Sequence, residues 1–261
     1  MSRRLGAFGE LPKLVIGGVE IARLDRSDTA DLMIAVAGLA DRNRPPPLFT
    51  SANGEVLSRC SRDPKTRQLF DSADVVSADG QPLVLASHWL SKMPLPERVA
   101  TTDLFHDVAE RADKIGLTFA FYGASPGELE KAVHNVRERY SNIRIVAASH
   151  GYLSDRDETE FLTRTAQKRP DVLWLCLGTP REQELYFRKC EYLRGVGVVK
   201  TGGGLLNFLS GTNSRAPLLW QRAGFEWLYR LLLEPRRLFW RYALTNPHCA
   251  LLLLTKRIRS V

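Results

Sequence analysis

The feature that most restricts the fold is an alternation along the chain. Short apolar, β-branched runs are separated by stretches that open with helix-start signals. The runs are Lys13–Ile16, Pro47–Ser51, Val75–Ser77, Thr118–Tyr122, Ile143–Ala147, Val172–Leu177 and Val196–Lys200. Between them, Ser125-Pro126-Gly127-Glu128 places serine at the N-cap, proline at the first helical position and glutamate three residues after the cap, which is a capping box. Asp63-Pro64 is a similar start, and Ser154 or Asp155 caps a helix running through Phe161 and Leu162. Strands that alternate with helices pair in parallel, and the helices cover both faces of the sheet. The expected class is therefore α/β, with a Rossmann-like, mainly parallel sheet.

After Gly211 the pattern changes. Strands stop, and three of the five tryptophans follow: Trp220, Trp227 and Trp240. Trp227 and Leu231 suit a helix that ends before Pro235, and Leu238, Phe239 and Tyr242 suit another after it. This predicts an α/β body over 1–211 and a helical appendage over 212–261. The body is expected to fold without the appendage.

Charge follows the same division. The net charge is +8, yet nine basic residues and only two acids lie from Asn213 onward, so this segment alone carries +7. A near-neutral body with a basic tail points to a polyanionic partner: nucleic acid, an anionic membrane or a phosphorylated substrate. Hydrophobic residues at 44% and charged residues at 25% exclude a disordered or collagen-like chain. Cys60, Cys176, Cys190 and Cys249 form no CxxC pair, which argues for reduced thiols rather than a zinc ribbon. Arg3 and Arg4 are followed by no apolar core, so no signal peptide is expected. No apolar run approaches the roughly 18 residues of a spanning helix.

In an open parallel sheet, ligands bind beyond the carboxyl ends of the strands. The segments after the runs are Ser51-Ala52-Asn53, Ala78-Asp79-Gly80, Tyr122-Gly123, Gly151-Tyr152, Gly178-Thr179-Pro180-Arg181-Glu182-Gln183 and Gly202-Gly203-Gly204. Small and polar residues beside helix starts present free amides to phosphates. Each segment also has an ordinary reading. Ser51 and Asn53 can simply cap a helix, Asp79-Gly80 is a common turn pair, and the glycine cluster lacks both GxGxxG and the phosphate-loop lysine. Asp155-Arg156-Asp157 has the spacing of a metal-binding DxD, but it follows a helix-cap serine and reads as first-turn acids. The five histidines show no metal-ligand spacing. No metal or cofactor is expected.

Taken in order, these motifs resemble the WecG/TagA/CpsF glycosyltransferase family. To them are added Glu97-Arg98-Val99 with Thr102-Asp103-Leu104, and a tail of Arg215-Ala216-Pro217, Glu226-Trp227-Leu228-Tyr229-Arg230-Leu231, Glu234-Pro235 and Arg241-Tyr242. The resemblance implies an inverting, metal-independent transfer of a sugar from a UDP-sugar to a polyprenyl (undecaprenyl) diphosphate-linked sugar. It implies a cytoplasmic enzyme attached peripherally to the inner face of the bacterial membrane, working in cell-surface polysaccharide synthesis. Asp79 then matches the catalytic base. Ser51 and Asn53 match a motif lining the sugar and phosphate pocket, and Arg98 an arginine near the diphosphate. Asp103, Gly123, Gly178, Glu182, Gln183 and Gly203 are further substrate-binding candidates, as are Arg230, Arg237 and Arg241 in the tail. The partners implied are the UDP-sugar donor, the lipid-linked acceptor and an anionic membrane surface, with a homo-oligomer left open and nucleic acid excluded.

The chain departs from the family pattern in places. The usual threonine is Ser51, the usual glycine after Arg-Val-x is Thr101, and an aspartate expected after the glycine cluster is Asn207. The usual Pro-x-Gln-Glu reads Pro180-Arg181-Glu182-Gln183, so either Glu182 or Gln183 could face the ligand. Two other classes compete. An NAD-dependent oxidoreductase would need GxGxxG at the first strand, where only Gly17-Gly18 occurs. A non-enzymatic membrane- or nucleic-acid-binding module would use the tail but leave the strand-end loops unexplained.

Overall fold

The computed structural model describes residues 11–256 and 258–260. The chain opens with β1 (Lys13–Ile16), β2 (Val19–Ala22) and α1 (Arg26–Leu39). It continues through β3 (Leu48–Ala52), α2 (Gly54–Arg62), α3 (Pro64–Asp71), β4 (Val75–Ala78), α4 (Gln81–Leu90) and α5 (Thr101–Ile115). Next come β5 (Thr118–Gly123), α6 (Pro126–Arg139), β6 (Arg144–Ser149), α7 (Asp155–Gln167), β7 (Val172–Cys176), α8 (Arg181–Lys189) and β8 (Val198–Thr201). The end is helical: α9 (Leu205–Leu209), α10 (Leu218–Arg222), α11 (Glu226–Leu233) and α12 (Pro235–Thr255), closed by β9 (Arg259–Ser260).

Six strands form a parallel sheet in the order β4-β3-β8-β7-β5-β6, flanked by helices, which is the expected Rossmann-like class. Every residue of β5 and β7 is buried, as a strand covered on both faces requires. The edge strand β6 is the more exposed one. The local helix signals act as the sequence implies. Ser125 caps α6 in a full capping box, Asp63 caps α3, and Ser154 rather than Asp155 caps α7.

One expected strand lies elsewhere. Lys13–Ile16 is β1, but it pairs antiparallel with β2 and β9 in a separate three-stranded sheet. The reason is Gly17-Gly18. Both glycines have positive φ, +58° and +92°, the backbone of a two-residue hairpin turn. Two glycines between apolar runs are a hairpin signal.

The chain divides into two compact units. Met1–Arg26, Ser51–Ala100 and Arg215–Val261 form the first; Ser27–Thr50 and Thr101–Ser214 form the second. In the first, the tail is part of the core. Leu238, Tyr242, Thr245, Cys249 and Leu252 are buried at helical spacing along α12, which packs on α2. Cys249, Leu252, Leu253 and Ile258 join Leu14, Ile16, Val56 and Leu57 in one apolar cluster. His248 Nδ1 lies 3.0 Å from Ser58 Oγ of α2. A body truncated at residue 211 would lose these side chains from its core, so it would not keep the packing of the first unit. In the second unit, Phe105, Phe119, Phe121 and Trp174 pack their rings together.

Candidate active site

In the first unit, two strand ends are brought side by side. The Asp79 amide donates to the Ala52 carbonyl at 2.8 Å, and a Cβ on Gly80 would stand 3.2 Å from Asn53 Cα. Asn53 is the N-cap of α2, its Oδ1 accepting from the Val56 amide at 3.1 Å. The capping reading of Asn53 is thus realised, and half-buried Ser51 precedes it at the end of β3. The Val99 amide donates to the Ala78 carbonyl at 2.8 Å and fixes the Arg98 segment beside the end of β4.

Arg98 then meets Asp79, donating from Nη2 to Oδ1 at 3.2 Å. Its other terminal nitrogen, Nη1, donates to Glu226 Oε2 at 2.6 Å. Glu226 is the first residue of α11, and its Oε1 lies 3.5 Å from Arg215 Nε. Arg215 also donates to Gln221 Oε1 at 2.6 Å. Asp79, Arg98 and Glu226 keep only 21%, 18% and 14% of their side-chain exposure, so water screens these pairs incompletely. Burial pulls the Arg98 guanidinium down, but the Asp79 and Glu226 carboxylates outweigh it and raise its pKa, so Arg98 is a fixed cation.

The other tail arginines are placed differently. Arg241 Nη1 lies 3.3 Å from Glu55 Oε2 of α2, and its guanidinium covers the Tyr242 ring at 4.9 Å. Arg230 is half-buried on α11. The side chain of Arg237 lies outside the described residues.

The second unit holds the remaining candidates. Glu182 is 2% exposed, and its Oε2 accepts from the Leu177, Gly178 and Gly203 amides at 3.3, 3.2 and 3.0 Å. Gly178 and Gly203 both have positive φ, +82° and +56°, a conformation that favours glycine and turns their amides to this carboxylate. Burial pushes the Glu182 carboxyl up to about 7, against the pull of the Gly203 amide and the Lys200 ammonium. Gln183 is fully buried, its Nε2 donating to Thr50 Oγ1 at 2.9 Å; Thr50 in turn pairs with Thr201 at 2.8 Å. Glu182 and Gln183 therefore both serve the interior: one ties the strand-end loops together, the other ties α8 to the sheet. At Gly123, the end of β5, a Cβ would run into the Cys176 carbonyl. Asp103 sits in the first turn of α5. Asn207 Nδ2 donates to Glu128 Oε1 at 2.6 Å, so an aspartate there would set two carboxylates against each other.

The acids of Asp155-Arg156-Asp157 stand in the first turn of α7 and are engaged there. Asp155 pairs with Lys189 Nζ at 2.8 Å, and Asp157 Oδ2 accepts from Ser154 Oγ at 2.7 Å. Among the described residues, no cluster of three or more His, Cys, Asp or Glu side chains could hold a metal ion. No helix of the described residues is long and apolar enough to cross a membrane.

In an open α/β sheet ligands bind beyond the carboxyl ends of the strands, where Asp79 and Arg98 meet. The comparisons with known proteins give the family. Residues 14–261 match the Glycosyl transferase WecG/TagA/CpsF family, and the chain belongs to it. It is 32% identical over 199 residues to an N-acetylglucosaminyldiphosphoundecaprenol N-acetyl-beta-D-mannosaminyltransferase of Bacillus spizizenii, covering 76% of this chain and 75% of that protein. From the sequence alone Glu226 carries no assigned role. The available signal was its rarity, as one of two acids in a tail with nine bases.

Proposed function

We propose that this protein transfers a sugar from a UDP-sugar to a polyprenyl-diphosphate-linked sugar in one inverting displacement, with Asp79 as general base. The observation that carries this reading is the Asp79 carboxylate at the end of β4, held beside the Arg98 guanidinium. An acceptor hydroxyl attacks well only if its proton is removed as the new bond forms, and Asp79 accepts that proton. As the glycosidic bond breaks, negative charge builds on the UDP diphosphate. Guanidinium groups pair with phosphate oxygens, so Arg98 and the tail arginines are assigned that charge, with no metal ion. The Bacillus relative's name, with its diphosphoundecaprenol-linked acceptor, supports the acceptor class.

The tail supports work at a membrane surface. Phe239, Trp240, Leu244, Leu251 and Leu254 of α12 are each more than half exposed, while the opposite stripe of the helix is buried. Exposed aromatic and aliphatic side chains in a basic segment gain from headgroup contact and from anionic lipid. The enzyme would then sit peripherally on the inner face of the membrane. The test is purified enzyme with a panel of UDP-sugars and short-chain lipid-diphosphate-sugar acceptors, with and without anionic liposomes. Turnover of one UDP-sugar onto the lipid acceptor is expected, and it names the donor. Stabilisation by NAD but not by UDP in a thermal shift would reject the transferase reading.

A further inference from the structure

The tail is overwhelmingly basic, yet the side chain it sends to the end of β4 is an acid. Glu226 lies 128 positions from Arg98, and their 2.6 Å bond is shorter than the 3.2 Å bond from Arg98 to Asp79. The two terminal nitrogens of one guanidinium are therefore divided between two carboxylates. Arg215 stands on the far oxygen of Glu226, so charges alternate along Asp79, Arg98, Glu226 and Arg215. On neighbouring α2, Glu55 is taken up by Arg59 and Arg241.

This arrangement has two consequences. A guanidinium is planar, so fixing Nη1 fixes the direction of Nη2; Glu226 sets how Arg98 meets Asp79. A cation shared with a second carboxylate also grips the first less tightly, and it attracts a third anion less strongly. Resting on the assignment of Asp79 as base, the geometry points to Glu226 as a positioning residue for the transfer. It aims Arg98 from behind and tempers its charge, so that Asp79 is gripped less tightly as it takes a proton and the diphosphate is not held too tightly. Because Glu226 begins α11, the arrangement around the base is complete only with the tail in place.

The test uses the full-length enzyme carrying Glu226→Gln, which keeps the side chain's shape and removes its charge. kcat is expected to fall at least ~10-fold, since a displaced reacting group is costly. UDP, measured by calorimetry, is expected to bind about 3-fold more tightly, the scale of one partly exposed ion pair. The tightening should vanish when Arg98→Ala is added, because it acts through Arg98. Damage to the fold would weaken catalysis and binding together. If kcat stays within about 2-fold of wild type, or UDP binding weakens or does not change, the inference is wrong. Glu226→Asp, which keeps the charge, should recover part of the lost kcat; no recovery counts against it as well. Asp79→Asn in the same assay separates the two readings. An active Asp79→Asn enzyme removes the base assignment. An inactive one, beside a fully active Glu226→Gln enzyme, removes only the role of Glu226.

Discussion

Each unit places a carboxylate near the carboxyl ends of the parallel strands, and the two are kept in opposite ways. Asp79, in the first unit, retains some exposure and faces the guanidinium of Arg98. Glu182, in the second, is buried and surrounded by backbone amides, with its acidity weakened by burial. With Asp79 as the proposed base, the contrast means that position at a strand end does not by itself define a catalytic acid or base. A base needs reach to substrate; a buried carboxyl with three amide donors is suited to holding loops.

The largest expected effect tests the first half of this comparison. Asp79→Asn should lower turnover at least ~100-fold, the scale of general-base catalysis, while UDP binding does not weaken. Near-normal turnover would remove the distinction between the two carboxylates. Next comes the packing that carries the tail. Leu252→Ala deletes a side chain from the cluster joining α12 to Leu14 and Val56, and should cost about 2–5 kcal/mol in a denaturant melt. A loss well under 1 kcal/mol would mean that the tail is a loosely attached layer after all.

Glu182 gives a pH test with a definite sign. Its folded value of about 7 lies above the ordinary 4.5. Between these values the folded state keeps a proton that the unfolded chain has released. Its contribution to stability therefore declines as pH rises through that window and is level above it. Glutamine does not titrate, so the Tm of wild type relative to Glu182→Gln should fall from pH 5 to pH 7.5. A constant difference would show that Glu182 is ionised throughout, like an ordinary exposed acid. The smallest expected change is with chelator. Asp155 and Asp157 are engaged by Lys189 and Ser154, and arginines are assigned the diphosphate charge, so activity should stay within about 2-fold in excess chelator. Loss of activity restored by magnesium or manganese would overturn the arginine-only account.

What the sequence determined by itself is local. The caps at Asp63, Ser125 and Ser154 join atoms two or three residues apart, so a short window contains the whole interaction. The buried strands read as continuous apolar runs because both of their faces are covered. Asp79 was legible because it ends such a run, and the ordered motifs pointed to its family. Gly17-Gly18 also carried a local signal, a two-residue hairpin turn, that the expectation of a parallel strand at Lys13–Ile16 passed over. What only the tertiary structure decided depends on partners far along the chain. It paired β1 with Arg259 and Ser260, laid the buried stripe of α12 on α2, and set Glu226 on Arg98. It also buried both Glu182 and Gln183, a choice that adjacent polar residues on one helix cannot reveal. Charge and polarity are properties of a residue, but desolvation and pairing are properties of its surroundings, and those form only when distant segments pack.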